Sequence, residues 1–189
     1  MAVTPCRLIV FSDLDGTLLD KQTYSWTPAT EAIRSLREND VPLILASSKT
    51  LPEMLEVRRV LGNNAPFIFE NGAGVALPAV IFPNAPHVVE RSSLRIRLFG
   101  ADRGKILNAM GRQRAAGHRF EGFSDWTAQE VAAMTGLDLA AAVLSKDRLA
   151  TEPFLWRDTE EKWVSRRPRR TILVCDGPFR QVGCGSLAS

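Results

Sequence analysis

Asp13 and Asp15 stand two positions apart in the pentad Asp13-Leu14-Asp15-Gly16-Thr17, directly after the apolar run Leu8-Ile9-Val10-Phe11. Two carboxylates at this spacing, followed by a glycine that lets the backbone turn sharply, suit a division of labour. One acid serves as nucleophile and the other as proton donor, around a magnesium ion. The chemistry this arrangement points to is phosphoryl transfer. The run before it places the pair at the C-terminal end of a strand, where open α/β folds do their chemistry.

Two other uses of such a pair compete: turn-forming or capping aspartates, and the metal-binding DxD of glycosyltransferases. The latter does not normally open a chain's first strand or continue as Gly-Thr-Leu. A second group is Ser47-Ser48-Lys49-Thr50, which follows another apolar run and offers hydroxyls and an ammonium. Neighbouring strands lie ~4.8 Å apart, so these groups and Asp13 could share one phosphate. Ser47 suits a phosphoryl oxygen, and Lys49 supplies charge. The third group is Glu70-Asn71-Gly72-Ala73-Gly74, where Glu70 and Asn71 are candidate substrate contacts and the glycines would admit a ligand close to the backbone. His87 and His118 lack partners nearby in sequence and read as surface or structural residues. Trp126, Trp156 and Trp163 read as core of a second module rather than as a sugar platform.

The elements that carry these groups follow from periodicity. Leu8–Ser12, Val41–Ala46 and Phe67–Phe69 read as strands. Between them, Thr27 is the expected N-cap of a helix with Pro28 first and a stripe of Ala29, Ala32, Ile33 and Leu36. Thr50 to Glu53 forms a capping box for a second helix, with Met54, Val57 and Leu61 inward and Gly62 at its end. This β-α-β-α-β order implies a parallel sheet with right-handed crossovers.

Prolines at 78, 83 and 86 suggest a boundary near residue 80. Beyond it, Leu94 to Leu98 alternates as a half-exposed strand, Asp102–Met110 and Leu139–Arg148 read as helices, and Thr127 opens a short helix stopped by Gly136. Pro153–Trp156 returns as a strand, so this module is α+β. Residues 1–79, 80–164 and 165–189 are the expected divisions.

Composition narrows the function classes. Hydrophobic residues make up 45%, which suits a globular chain, and no apolar run approaches the ~20 residues of a membrane span. The expectation is a cytoplasmic protein without a membrane partner. The net charge of +3 is concentrated: residues 166–189 hold five arginines and one aspartate, leaving 19 basic and 20 acidic side chains before them. A basic stretch beside a neutral body argues against a nucleic-acid partner. Cys6, Cys175 and Cys184 have no spacing for a disulfide framework or zinc site.

DLDGT, LASSKT and FIFENGAGV, in this order and spacing, resemble the haloacid dehalogenase (HAD) superfamily. ASSKT and ENGAG, with GFSDWTAQEVAAMTGL and ATEPFLW, resemble its mannosyl-3-phosphoglycerate phosphatase family, over about residues 7–164. The resemblance implies an α/β, HAD-like (Rossmannoid) parallel core with an inserted α+β cap module, and a phosphorylated sugar as substrate. It implies that Asp13 forms an aspartyl-phosphate, while Asp15 protonates the leaving hydroxyl and later activates water. Magnesium would be held by the Asp13 carboxylate and the Asp15 carbonyl. Ser47 matches the phosphate-binding hydroxyl, with Ser48 and Lys49 beside it. Arg148 and Glu152 fall in a cap segment expected to contact the glycerate or sugar.

Two parts of the family pattern have no counterpart: a lysine after the cap, and a GDxxND-like run of further magnesium ligands. Val174-Cys175-Asp176-Gly177 resembles the latter only superficially. The core therefore reads as incomplete, and residues 165–189 read as a shifted reading frame or truncated product. Weak or absent turnover is the corresponding expectation.

Overall fold

A computed structural model describes residues 8–20, 23–91, 93–159, 171–176 and 179–184, the last two segments as backbone. The chain begins with β1 (Val10–Ser12), β2 (Leu43–Ala46) and β3 (Phe67–Phe69), alternating with α1 (Thr30–Glu38) and α2 (Leu51–Leu61). β1 pairs parallel to β2, and β2 parallel to β3. This confirms the expected parallel α/β start. Strand order follows chain order, so right-handed crossovers put both helices on one face. There Ile33 and Leu36 of α1 and Met54 and Leu61 of α2 pack with Leu43, Leu45, Phe67 and Phe69 in one cluster. β1 is the sheet's edge, and Phe11, pointing from the other face, is 64% exposed.

α2 forms as its sequence requires: Thr50 and Glu53 complete a reciprocal capping box, and Gly62 closes the helix. α1 differs in detail. Thr27–Ala29 makes a single 3₁₀ turn, α1 starts at Thr30, and Ala32 faces solvent.

β4 (Gly74–Pro78), β5 (Val89–Arg91) and β6 (Leu94–Leu98) continue the same sheet in antiparallel sense, in the order β1-β2-β3-β4-β6-β5. β6 pairs with β4 from Gly74↔Leu98 to Pro78↔Leu94. The prolines mark an excursion between β4 and β5, and residues 89–98 belong with the first sheet.

The second unit follows the Phe99–Asp102 connection: α3 (Arg103–Ala115), β7 (Phe120–Gly122), α4 (Ala128–Thr135), α5 (Leu139–Lys146) and β8 (Thr151–Trp156). Asp102, Thr127 and Asp138 cap the three helices. Ile106, Met110, Phe120 and Phe154 make one small core, and Phe123, Trp126, Val131 and Ala142 another.

β9 (Thr171–Asp176) and β10 (Phe179–Cys184) complete an antiparallel second sheet, ordered β7-β8-β10-β9. β10 pairs with β8 through Arg180↔Phe154 and Gly183↔Thr151. The segment read as a shifted frame or truncated product thus contributes two strands, and β8 supplies the ladder for β10. Trp163, the 164/165 division and the arginine run 166–170 lie outside the described residues, as does Cys6.

Candidate active site

Parallel register aligns the strand ends. Ser12 lies beside Leu45 and Leu45 beside Phe67, so Asp13, Ala46 and Ile68 follow in one row. The next residues turn out of the sheet together. Ser47 N–H donates to Ile68 O (3.2 Å), Asn71 N–H to Ser47 O (2.9 Å) and Glu70 N–H to Lys49 O (2.9 Å). The second and third motif-bearing loops are therefore one hydrogen-bonded edge.

At β1 the chain doubles back. Gly16 adopts φ 78°, a left-handed conformation that glycine takes without a Cβ clash. Its N–H donates to Leu19 O (2.9 Å), and Leu19 N–H to Leu14 O (2.8 Å). Leu14 and Leu19 are buried while Asp13 and Asp15 remain exposed. Alternation of buried leucine and exposed aspartate aims both carboxylates outward from a fixed turn. Asp13 Oδ1 accepts from Leu14 N–H at 2.7 Å. Lys49 Nζ lies 3.4 Å from Asp15 Oδ1, which joins the first and second motif groups.

One neighbour was not singled out by the sequence. Tyr24 places its ring centroid 5.9 Å from Lys49 Nζ, with its own backbone at φ 53° and its side chain exposed. Its signal was position alone, in the loop leaving the same sheet edge.

Ser47 is buried, and its Oγ accepts from Lys49 N–H (3.3 Å). Ser48 and Asn71 are exposed, the latter at φ 56°. Gly74 serves packing rather than ligand approach: a Cβ there would lie 2.1 Å from the Phe69 ring.

Glu70, Arg148 and Glu152 occupy a different setting from the one expected of substrate contacts. All three are buried. Glu70 accepts from Leu149 N–H (2.7 Å), Ala150 N–H (3.0 Å) and Thr151 Oγ1–H (2.6 Å). Arg148 donates to Thr151 Oγ1 (2.8 Å), Ser145 O (3.2 Å) and Ser48 O (2.8 Å). Burial lowers its pKa, opposed by the charges of Glu70, Glu53 and Glu152. Glu152 receives Arg103 through Nε (2.8 Å) and Nη2 (2.7 Å), and Ser124 N–H (2.6 Å). Glu70 and Arg148 are committed to the junction between the two units and Glu152 to partners within the second unit, because a buried charge is tolerated only with such partners.

The remaining candidates fall away from this edge. His87 is exposed, and His118 sits 5.7 Å from the Trp156 ring. Trp156 stacks on Phe120, and Trp126 is buried, both within the second unit's cores. Asp176 ends β9 in the second sheet, and Cys175 and Cys184 pair with Arg180 and Thr171 on separate rungs. Among the described residues no group of three or more His, Cys, Asp or Glu could hold a metal.

Residues 10–81, which contain every group on this edge, match the family model described as haloacid dehalogenase-like hydrolase. The whole chain resembles several solved structures. A hypothetical protein from Geobacillus kaustophilus HTA426 shares 21% identity at a TM-score of 0.61, covering 96% of this chain and 71% of its own. A HAD-superfamily phosphatase from Bacteroides thetaiotaomicron shares 15% at 0.61, covering 97% and 70%. A HAD subclass IIB sugar phosphatase shares 14% at 0.58, covering 94% and 70%. The fold is thus that of the haloacid dehalogenase-like hydrolases, and residues 10–81 are similar to that family's model.

Proposed function

We propose that this chain is a phosphatase acting on a phosphorylated sugar-glycerate, mannosyl-3-phosphoglycerate in the first instance, to give mannosylglycerate and phosphate. The observation that carries this reading is the exposed Asp13–Asp15 pair at the end of β1, with Lys49 Nζ 3.4 Å from Asp15 Oδ1 on the adjoining loop. In it, an Asp13 carboxylate oxygen attacks phosphorus, and the bond from phosphorus to the glycerate ester oxygen breaks. Asp15 gives its proton to that oxygen, then takes one from the water that cleaves the aspartyl-phosphate and restores Asp13. Ser47, Ser48, Lys49 and Asn71 are the groups proposed to hold the phosphoryl oxygens.

Asp13 and Asp15 also fit a magnesium ion. Hard oxygen donors on an exposed turn suit an ion bound through one or two carboxylates, waters and substrate phosphate. When bound, the ion would neutralise phosphoryl charge. The cytoplasm is the proposed compartment; among the described residues no helix is long and apolar enough to cross a membrane.

Likeness in fold to a sugar phosphatase supports a second reading, a different phosphorylated sugar at the same edge. A panel of sugar phosphates assayed for phosphate release with Mg²⁺ decides between them. Preferred hydrolysis of mannosyl-3-phosphoglycerate supports the first reading, and preference for another sugar phosphate the second. Binding without release from any member would reduce the function to phosphosugar binding.

A further inference from the structure

We propose that Arg148 and Glu70 are positioning residues which tie the second unit to the Ser47–Thr50 loop, so that the loop's geometry depends on where that unit sits. The proposal rests on the phosphate-holding role assigned above to Ser47, Ser48 and Lys49.

Three consecutive carbonyls of this loop have fixed partners. Ser47 O takes Asn71 N–H, Lys49 O takes Glu70 N–H, and Ser48 O, between them, takes the Arg148 guanidinium at 2.8 Å. In a trans peptide the carbonyl and the following N–H point in opposite directions. Holding Ser48 O and Lys49 O therefore also fixes the directions of the Lys49 and Thr50 amides, which donate to Ser47 Oγ (3.3 Å) and the Glu53 carboxylate (2.8 Å). Of the three holding groups, only Arg148 comes from the second unit.

The clamp is continuous. The Arg148 Nε–H donates to Thr151 Oγ1, whose proton goes to Glu70 Oε2, and Glu70 also takes Leu149 N–H and Ala150 N–H. Thr50 Oγ1 lies 2.9 Å from Leu144 O at the end of α5, a second bond from loop to unit. Glu70 itself is strained at φ 50°, and its carboxylate is wholly buried. A non-glycine residue holds that backbone only where its surroundings over-determine it. The other connection joins the same knot, since Arg103 N–H donates to Leu149 O at 2.8 Å. A shift of the second unit about these connections would pull on Ser48 O directly.

The experiment compares the full wild-type chain with Arg148→Lys, Glu70→Gln and the milder Thr151→Val. Arg157→Ala is the control, as Arg157 pairs with Glu121 on the second unit's surface. Amide hydrogen exchange read by mass spectrometry reports the 47–50 loop, and inorganic phosphate is titrated with MgCl₂ present. Loss of one hydrogen bond to a charged group should raise loop exchange and weaken phosphate binding about tenfold, while α4 and β7 keep their protection. Arg157→Ala should change neither. A uniform rise across both units without excess at the loop, or a folded Thr151→Val chain with wild-type loop exchange, overturns the coupling. If the wild-type chain binds no phosphate, the proposed function fails, and the exchange measurement still decides the coupling.

Discussion

Carboxylates at the end of β1 and the carboxylates buried at the junction of the two units and within the second are the same chemical group in opposite circumstances. Asp13 and Asp15 are exposed, and Lys49 is the cation beside the pair. Glu70 and Glu152 are fully buried, each with both oxygens bound by hydrogen-bond donors. An exposed ion pair contributes about 0–1 kcal/mol to stability, so the first group is held cheaply and can exchange partners. A buried carboxylate stripped of its partners is far more costly, so the second group is fixed. The proposed chemistry and the architecture are separated by solvent access, not by residue type.

Four changes test that contrast. Asp13→Asn should lower any Mg²⁺-dependent phosphate release by about 10⁴-fold or more while the thermal midpoint stays within a degree or two, since it alters an exposed side chain. Unchanged release would remove Asp13 from the mechanism. Glu70→Ala should act in the reverse sense, costing about 3–5 kcal/mol in denaturant unfolding because three donors lose their acceptor and the buried Arg148 loses a compensating negative charge. A stability change as small as that of Asp13→Asn would mean that the junction is not the fixed region. Lys49→Ala should weaken phosphate binding by about 10²-fold with little effect on unfolding.

The smallest expected effect is one of pH. Asp102 and Glu130 have lowered pKa values, chiefly through the backbone amides of Lys105 and Thr127. A carboxyl depressed in the folded state stabilises above its unfolded pKa, near 4, and loses that contribution as pH falls through the lowered value. Amide protection at the starts of α3 and α4 should therefore decline on acidification below about pH 4, before β2 and β3 respond. Simultaneous loss would argue against local capping.

Sequence and structure agree where local chemistry decides. The capping box at Thr50, the stop at Gly136 and the apolar strands β1–β3 follow from nearest neighbours and period. Disagreement begins where a distant partner decides. Leu94–Leu98 announces a half-exposed strand, but nothing in its alternation names β4 as its partner. Thr171–Asp176 is a bare apolar run until β8 and β10 meet. The candidate site divides the same way. Asp13, Asp15, Ser47 and Lys49 were legible because each follows a strand on one edge of a parallel sheet. Glu70, Arg148 and Glu152 were legible as functional types, but their partners lie up to 100 residues away and bury them. Tyr24 was hidden in a loop with no periodic signal.

The most direct test of the account is where a phosphoryl group lands. Acetyl phosphate needs no proton on its leaving group, so an Asp15→Asn chain given this donor and Mg²⁺ should load Asp13 and release it slowly. Peptide mapping after rapid quench is expected to find one phosphoryl group on Asp13. A phosphoryl group on another residue, or none on Asp13 while phosphate is released, would contradict the assignment.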